Sequence, residues 1–196
     1  MRLFIALDID GAIRERIVRF VDGVREFAPD ARWVPPESLH ITLKFIGERP
    51  AETVAPIRQT LSGIKSVPFD VTFRGHGFFP TPKAPRVFWI GIAAGAPLAN
   101  LAIAIDLALE PLGIPREDHA YSPHLTLARG GKSGTPRWQK SDGPNHKFKR
   151  LAEKLSALPP PEFGTMTAHE FFLYESKLGR GGSVYTKLER FGLGEN

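Results

Sequence analysis

Two stretches decide the fold: "HITL" at residues 40–43 and "HLTL" at residues 124–127. Each sets a histidine two residues before a threonine, and the copies lie 84 positions apart (124 − 40). In a β-strand alternate side chains share a face, about 6.5–7 Å apart. His40 and Thr42 therefore project together, and so do His124 and Thr126. Strict alternation adds Lys44 to the His40 face and turns Ile41, Leu43 and Phe45 away. It likewise turns Leu125, Leu127 and Arg129 away from His124. The apolar faces suit a core beneath helices, and the His/Thr faces suit a cleft.

The same 84-residue offset aligns Arg2-Leu3-Phe4 with Arg86-Val87-Phe88 and Ser38 with Ser122. The segments between also correspond. "RLFIALDI" and "RVFWIGIA" are apolar, strand-like runs. Each precedes a helical pattern: Ile13, Ile17, Val21, Val24 and Phe27 in the first half, Leu98, Leu101, Ile105, Leu109 and Leu112 in the second. Each helix runs out in a Pro-containing stretch that leads into a histidine strand. Val54, Ile57, Leu61 and Ile64 then predict a further helix, and "PFDVTFRG" a strand. In the second half a helix is predicted from near Pro144, with Phe148, Leu151 and Leu155 inward. "AHEFFLYES" and "SVYTKLERF" close the sequence as a hairpin across the Gly-rich turn "KLGRGG". The expected fold is α+β. Two pseudo-symmetric lobes each carry an antiparallel sheet with helices on its outer face, and a catalytic cleft lies between them. Residues 1–196 form one bilobal domain built by internal duplication.

Length and composition agree with this. A chain of 196 residues suits one domain or two small lobes sharing a core. The absence of cysteine excludes disulfides, thiolate metal sites and a cysteine nucleophile, and points to the cytoplasm. No run of 18 apolar residues marks a membrane span. "MRLFIALDIDG" is too short and too soon acidic for a signal peptide, and reads as a first strand. The net charge of +5 permits a polyanionic partner. Basic residues cluster from Lys132 to Arg150, within a segment that begins as a Gly-rich loop.

If pseudo-twofold symmetry brings the two faces together, two imidazoles and two hydroxyls converge. Imidazole titrates near neutrality, so one histidine can remove a proton while the other delivers one. Threonine hydroxyls can donate to the non-bridging oxygens of a phosphoryl group. Phosphodiester transfer uses both functions and needs no metal or cofactor. Nothing in the near-symmetric pair itself says which histidine gives the proton.

On these residues the chain resembles the 2H phosphoesterase superfamily, named for two His-x-Thr/Ser-x motifs. Within it, "RLFIALDI", "RWVPPESLHITLKFIGE", "RVFWIGI" and "YSPHLTLARG" resemble the bacterial and archaeal RNA 2′,3′-cyclic phosphodiesterases, historically the 2′-5′ RNA ligase family. The resemblance implies hydrolysis of a terminal 2′,3′-cyclic phosphate to a 2′-phosphate, with reverse joining through a 2′-5′ linkage. It implies His40 as proton donor to O3′, His124 as proton acceptor from water, and Thr42 and Thr126 as phosphate ligands. Arg129 matches the arginine that closes the second motif and would bind substrate. It reaches the cleft only where the strand ends or bends near Gly130. The implied partners are RNA ends or nucleoside 2′,3′-cyclic phosphates, with no membrane and no second subunit, since a monomer already holds both half-sites.

Other readings explain less. A zinc site on His40 and His124 needs a third ligand, with Asp118 and His119 nearest in sequence, and leaves the threonines without a role. His76, His119, His146 and His169 lack a repeated partner, which predicts surface or structural roles. "GGKSGT" at 130–135 lacks the first glycine of a phosphate-binding loop, the required position being Thr126. A non-catalytic RNA-binding module accounts for the charge but not for two threonines at identical spacing.

Overall fold

The computed structural model describes residues 1–81, 83–130, 146–179 and 182–194. Its strands are β1 (Arg2–Leu7), β2 (Arg32–Trp33), β3 (Ile41–Glu48), β4 (Phe69–Phe79), β5 (Val87–Ala93), β6 (His124–Arg129), β7 (Glu162–Ala168), β8 (Glu170–Gly179) and β9 (Gly182–Gly192). Its α-helices are α1 (Gly11–Val24), α2 (Val54–Ser62), α3 (Gly95–Leu109) and α4 (Lys149–Ser156). The strands form two antiparallel sheets, ordered β3-β1-β8-β9 and β2-β6-β5-β4-β7.

In each sheet a histidine strand lies beside the strand that opens its sequence half: β3 beside β1, β6 beside β5. Beyond that pair the halves exchange elements. β4 ends the first half yet pairs with β5, and β8 crosses back to pair with β1. The helices exchange too. α1 leaves the first sheet and packs on β7 of the second, while α3 leaves the second and packs on β3 of the first. The Arg16 guanidinium ties α1 to β7 by donating to the Phe163 carbonyl at 2.8 Å. The lobes are therefore interlaced, and a single apolar core runs through both.

Alternation along β1 shows how the layers are assigned. Leu3, Ile5 and Leu7 enter the core under the helices, whereas Phe4 and Ala6 face the cleft with Phe172 and Tyr174. On α1, Ile13, Ile17 and Val24 are buried, as the helical spacing predicts. The segment Gly95–Leu112 has a mean hydropathy of 1.3, long and apolar enough by length and composition to cross a membrane. In the fold it is a core helix: Leu98, Leu101, Ile105 and Leu109 are buried.

The short β2 and the strand β7 were not among the predicted elements. α4 begins at Lys149, and Phe148, Leu151 and Leu155 are buried as expected. Pro144, the predicted start, and "GKSGT" after Gly130 lie outside the described residues, as do Lys132, Arg137 and Lys140. Farther along the basic cluster, Arg150 lies over the Phe27 ring, on the helical layer.

The two halves do not keep one offset throughout. Thr42 sits opposite Ala6, and Thr126 opposite Trp89. The first strands thus correspond at 83 residues (89 − 6), while the histidine strands correspond at 84. A slip of one residue reverses a strand's faces. Accordingly Phe4 faces the cleft and Phe88 fills the core, although both belong to the recurring Arg-x-Phe.

Candidate active site

The histidine motifs occupy matching places. His40 immediately precedes β3, and His124 opens β6. Each imidazole is fixed from behind. His40 Nδ1–H donates to the Ser38 carbonyl at 2.7 Å, and His124 Nδ1–H donates to the Ser122 carbonyl at 2.8 Å. A carbonyl only accepts, so the bond sets the tautomer and leaves the lone pair of each neutral ring on Nε2. The Thr42 hydroxyl lies 3.1 Å from His40 Nε2. Ser38 and Ser122, aligned by the repeat, thus act through their backbone oxygens.

Strict alternation fails one residue after each threonine. Thr42 pairs with Ala6 but Lys44 pairs with Ile5, so Leu43 is an extra residue in β3. Thr126 pairs with Trp89 but Ala128 pairs with Phe88, so Leu127 is the extra residue in β6. Bulges of this kind re-aim every side chain that follows. Lys44, expected in the cleft with His40, instead turns to the helical side. It is 2% exposed, and its ammonium donates to Asp106 of α3 at 2.5 Å and to the Pro115 carbonyl at 2.6 Å. Phe45, expected in the core, is 57% exposed beside Phe4. Arg129, turned away by parity, returns to the His124 face without any need for the strand to end at Gly130.

The electrostatics follow from burial. Burial pushes His40 down to about 4, opposed by the Ser38 carbonyl and assisted by the Arg129 cation, while Asp8 pulls it up. His124 is lowered by burial as well, opposed by the Ser122 carbonyl, with Arg129 again adding to the drop. Arg129 thus lies within electrostatic reach of both rings, and its own pKa is lowered by burial first. Of the five residues singled out in the sequence, His40, His124 and Arg129 lie within electrostatic reach of one another, the Thr42 hydroxyl touches His40, and Thr126 is half-buried on β6 two residues after His124.

Aromatic side chains that the sequence reading did not single out surround the rings. Phe4 lies 5.0 Å from His40, and Tyr185 meets it edge-on at 5.2 Å. Phe79 meets His124 edge-on at 4.9 Å, and Trp89 packs on Phe79 at 5.0 Å. The Tyr121 hydroxyl donates to the Thr42 carbonyl at 2.9 Å, tying the approach to β6 onto β3. Trp89 and Phe4 carry a faint sequence signal, since each lies one strand away from its histidine. Tyr185 arrives from the distant hairpin and carries none. The remaining histidines stand apart: His76 packs against Phe88 in the core, and His119, His146 and His169 are exposed. Among the described residues no three His, Asp or Glu side chains converge to hold a metal ion, and Asp118 lies exposed beside His119.

A family model for LigT-like phosphoesterases matches the chain twice, over residues 7–89 and 90–185. The chain belongs to this family. Each match takes in one of the two His-x-Thr motifs of this LigT-like phosphoesterase. The RNA 2′,3′-cyclic phosphodiesterase of Archaeoglobus fulgidus is 36% identical over 97% of the chain and 99% of its own length. That of Methanothermobacter thermautotrophicus is 34% identical over 98% and 99%. Escherichia coli LigT complexed with 3′-AMP has a TM-score of 0.77 at 28% identity, covering 99% of this chain and 98% of its own. A solved protein of Thermus thermophilus, TT0787, has a TM-score of 0.76 at 33% identity, covering 98% of both chains. The α+β architecture of paired antiparallel sheets is that of these solved relatives, and the chain is an enzyme of phosphodiester chemistry.

Proposed function

We propose that this LigT-like phosphoesterase hydrolyses RNA-terminal 2′,3′-cyclic phosphates to 2′-phosphates by metal-independent two-histidine catalysis, and that it joins ends through a 2′-5′ linkage in reverse. The observation that carries the reading is the matched pair of imidazoles, each held at Nδ1 by a carbonyl and each leaving Nε2 to the cleft. Relatives spanning nearly the whole chain are RNA 2′,3′-cyclic phosphodiesterases, and one solved relative binds 3′-AMP.

His124 Nε2 takes a proton from water as its oxygen bonds to phosphorus. The P–O3′ bond breaks on the opposite side, and His40 Nε2–H protonates O3′. Thr42, Thr126 and Arg129 hold the non-bridging oxygens, where charge collects. In the free site burial keeps both imidazoles mostly neutral at pH 7. An anionic phosphodiester against Nε2 favours the charged ring, so substrate itself supplies the field that loads His40 with its proton. The single bilobal domain, grown by duplication, works as a monomer because both half-sites lie in one chain.

The test is turnover of a nucleoside 2′,3′-cyclic phosphate in the presence of EDTA, with the product identified as the 2′-phosphate. Turnover that disappears with EDTA would place a metal in the mechanism. Absence of turnover with retained RNA binding would favour a binding module.

A further inference from the structure

Each histidine is delivered to the cleft by a stretch that crosses to the strand of the other histidine. On the first side backbone makes the crossing. β2 pairs with β6, Arg32 opposite Arg129 and Trp33 opposite Ala128, and the Val34 amide donates to the Leu127 carbonyl at 2.8 Å. The chain then turns through Pro36–Ser38 to His40. On the second side the crossing is made by side chains. Residues 113–123 run from the helical layer to His124 without helix or strand. Two bonds hold them to β3. The Lys44 ammonium donates to the Pro115 carbonyl at 2.6 Å, and the Tyr121 hydroxyl donates to the Thr42 carbonyl at 2.9 Å. Thr42 and Lys44 flank the bulge at Leu43, which turns one toward the cleft and the other toward the helices.

The Tyr121 bond is the one nearer the chemistry. Thr42 also places its hydroxyl 3.1 Å from His40 Nε2, and Tyr121 adjoins Ser122, whose carbonyl orients His124. One O–H···O bond therefore links the residue touching the first imidazole to the neighbour of the residue that orients the second. β3 and β6 belong to different sheets, and β3 is bordered by β1 alone among the described strands. Their separation is set by contacts across the seam rather than by a ladder. The Tyr121 ring packs against the core, and burial pushes the phenol upward, so the hydroxyl stays a donor throughout the neutral range. In-line displacement places the attacking and leaving oxygens on opposite sides of one phosphorus, so an acid and a base must be held at a matching separation. We propose that Tyr121 is a positioning residue, whose hydroxyl sets the spacing of the two histidine strands for in-line transfer without touching the reacting atoms. The inference rests on the function proposed above and adds what holds the two half-sites in register.

Tyr121→Phe keeps the packed ring and removes only the oxygen, so the variant should fold, with a Tm close to that of the unaltered chain. On a nucleoside 2′,3′-cyclic phosphate its kcat should fall about tenfold while KM holds, short of the ~10²-fold that a 1 Å misplacement can cost. The same substitution in the His40→Ala background separates spacing from general support. With one half-site gone there is no pair left to align, so loss of the hydroxyl should cost much less there, as expected for groups that act as a unit. An unchanged kcat in Tyr121→Phe overturns the inference. So does a rise in KM alone, which would make Tyr121 a substrate contact. Equal fold losses in the two backgrounds overturn it as well, since a hydroxyl that only supports the fold would act whether or not His40 is present. An unaltered protein that does not turn over the substrate, or a His40→Ala variant that keeps full activity, overturns the proposed function and this inference with it.

Discussion

Phe45 and Arg129 hold the same place in the two histidine strands. Each follows its threonine by three residues, and each is turned into the cleft by a bulge at the residue after that threonine. One lobe thus offers the site an exposed aromatic ring and the other a cation. The near-symmetric motifs are made unequal at this position, and the inequality bears on both histidines. Arg129 lowers the pKa of each ring, whereas Phe45 carries no charge to oppose it.

Replacing Arg129 should therefore act on binding and on titration together. Arg129→Ala should lower kcat/KM at least ~10²-fold, the scale of one lost donor to a developing oxyanion. Arg129→Lys should recover only part, because an ammonium lacks the planar fork of guanidinium. Removing the cation also lets both imidazoles titrate at higher pH. The whole kcat/KM–pH profile of Arg129→Ala should move upward. A profile that stays in place at reduced height would separate Arg129 from the two rings.

The two histidines should be individually indispensable. His40→Ala and His124→Ala should each cut turnover at least ~10²-fold, as expected for a lost acid or base. Steady-state rates with EDTA present, at the pH optimum of the unaltered chain, give the comparison. Retained activity in either variant would sink the two-histidine mechanism.

Much of this was legible in the letters. Apolar spacing along Ile13–Val24 and Leu98–Leu109 located the long helices, and the duplicated motif located both histidine strands. The misassigned side chains of the histidine strands have one physical source. Periodicity assumes a regular strand, and a bulge is one residue that breaks the period without any mark in the sequence. Leu43 and Leu127 look like ordinary core leucines, yet they send Lys44 to Asp106 and bring Arg129 into the cleft. The exchange of β4 and β8 between lobes was equally silent, because an alternating strand carries no label for the sheet it joins. Tyr185 enters the site only through that exchange.

The Lys44–Asp106 pair should be a stability element rather than a catalytic one. Lys44→Met leaves the largely buried Asp106 carboxylate without its main partner, and breaking such a pair costs about 3–5 kcal/mol. Adding Asp106→Leu should return much of that loss, since an apolar pair of similar volume is often neutral. Denaturant unfolding of the two variants checks the order. A double variant no more stable than Lys44→Met would assign the cost to packing.

His40 should make the fold acid-sensitive. Unfolded, its ring titrates near the ordinary 6.5; folded, burial holds it at about 4. Between those values the unfolded chain binds a proton that the folded chain refuses, so stability rises with pH across this window. On acidification the loss begins near 6.5 and is complete near 4, amounting to about 3 kcal/mol at most. His124, also lowered by burial, adds a loss of the same sign. His40→Gln cannot titrate, so its Tm should fall less between pH 7 and pH 4.5 than that of the unaltered chain. Parallel Tm curves would show that the buried ring does not carry the shift.

Gly77 should prove necessary for the wall beside His124. A Cβ built there overlaps the Trp89 ring, which lies across β4 at that point. The backbone is extended and not the obstacle; the indole is. Gly77→Ala must therefore push Trp89 away, and with it Phe79, which meets His124 edge-on. The overpacking should cost about 1–3 kcal/mol and lower kcat through the displaced His124 ring. Trp89→Leu in the Gly77→Ala background should relieve the clash, restoring stability but not the aromatic contact. If activity returned along with stability, the wall would be filling space and not positioning the imidazole.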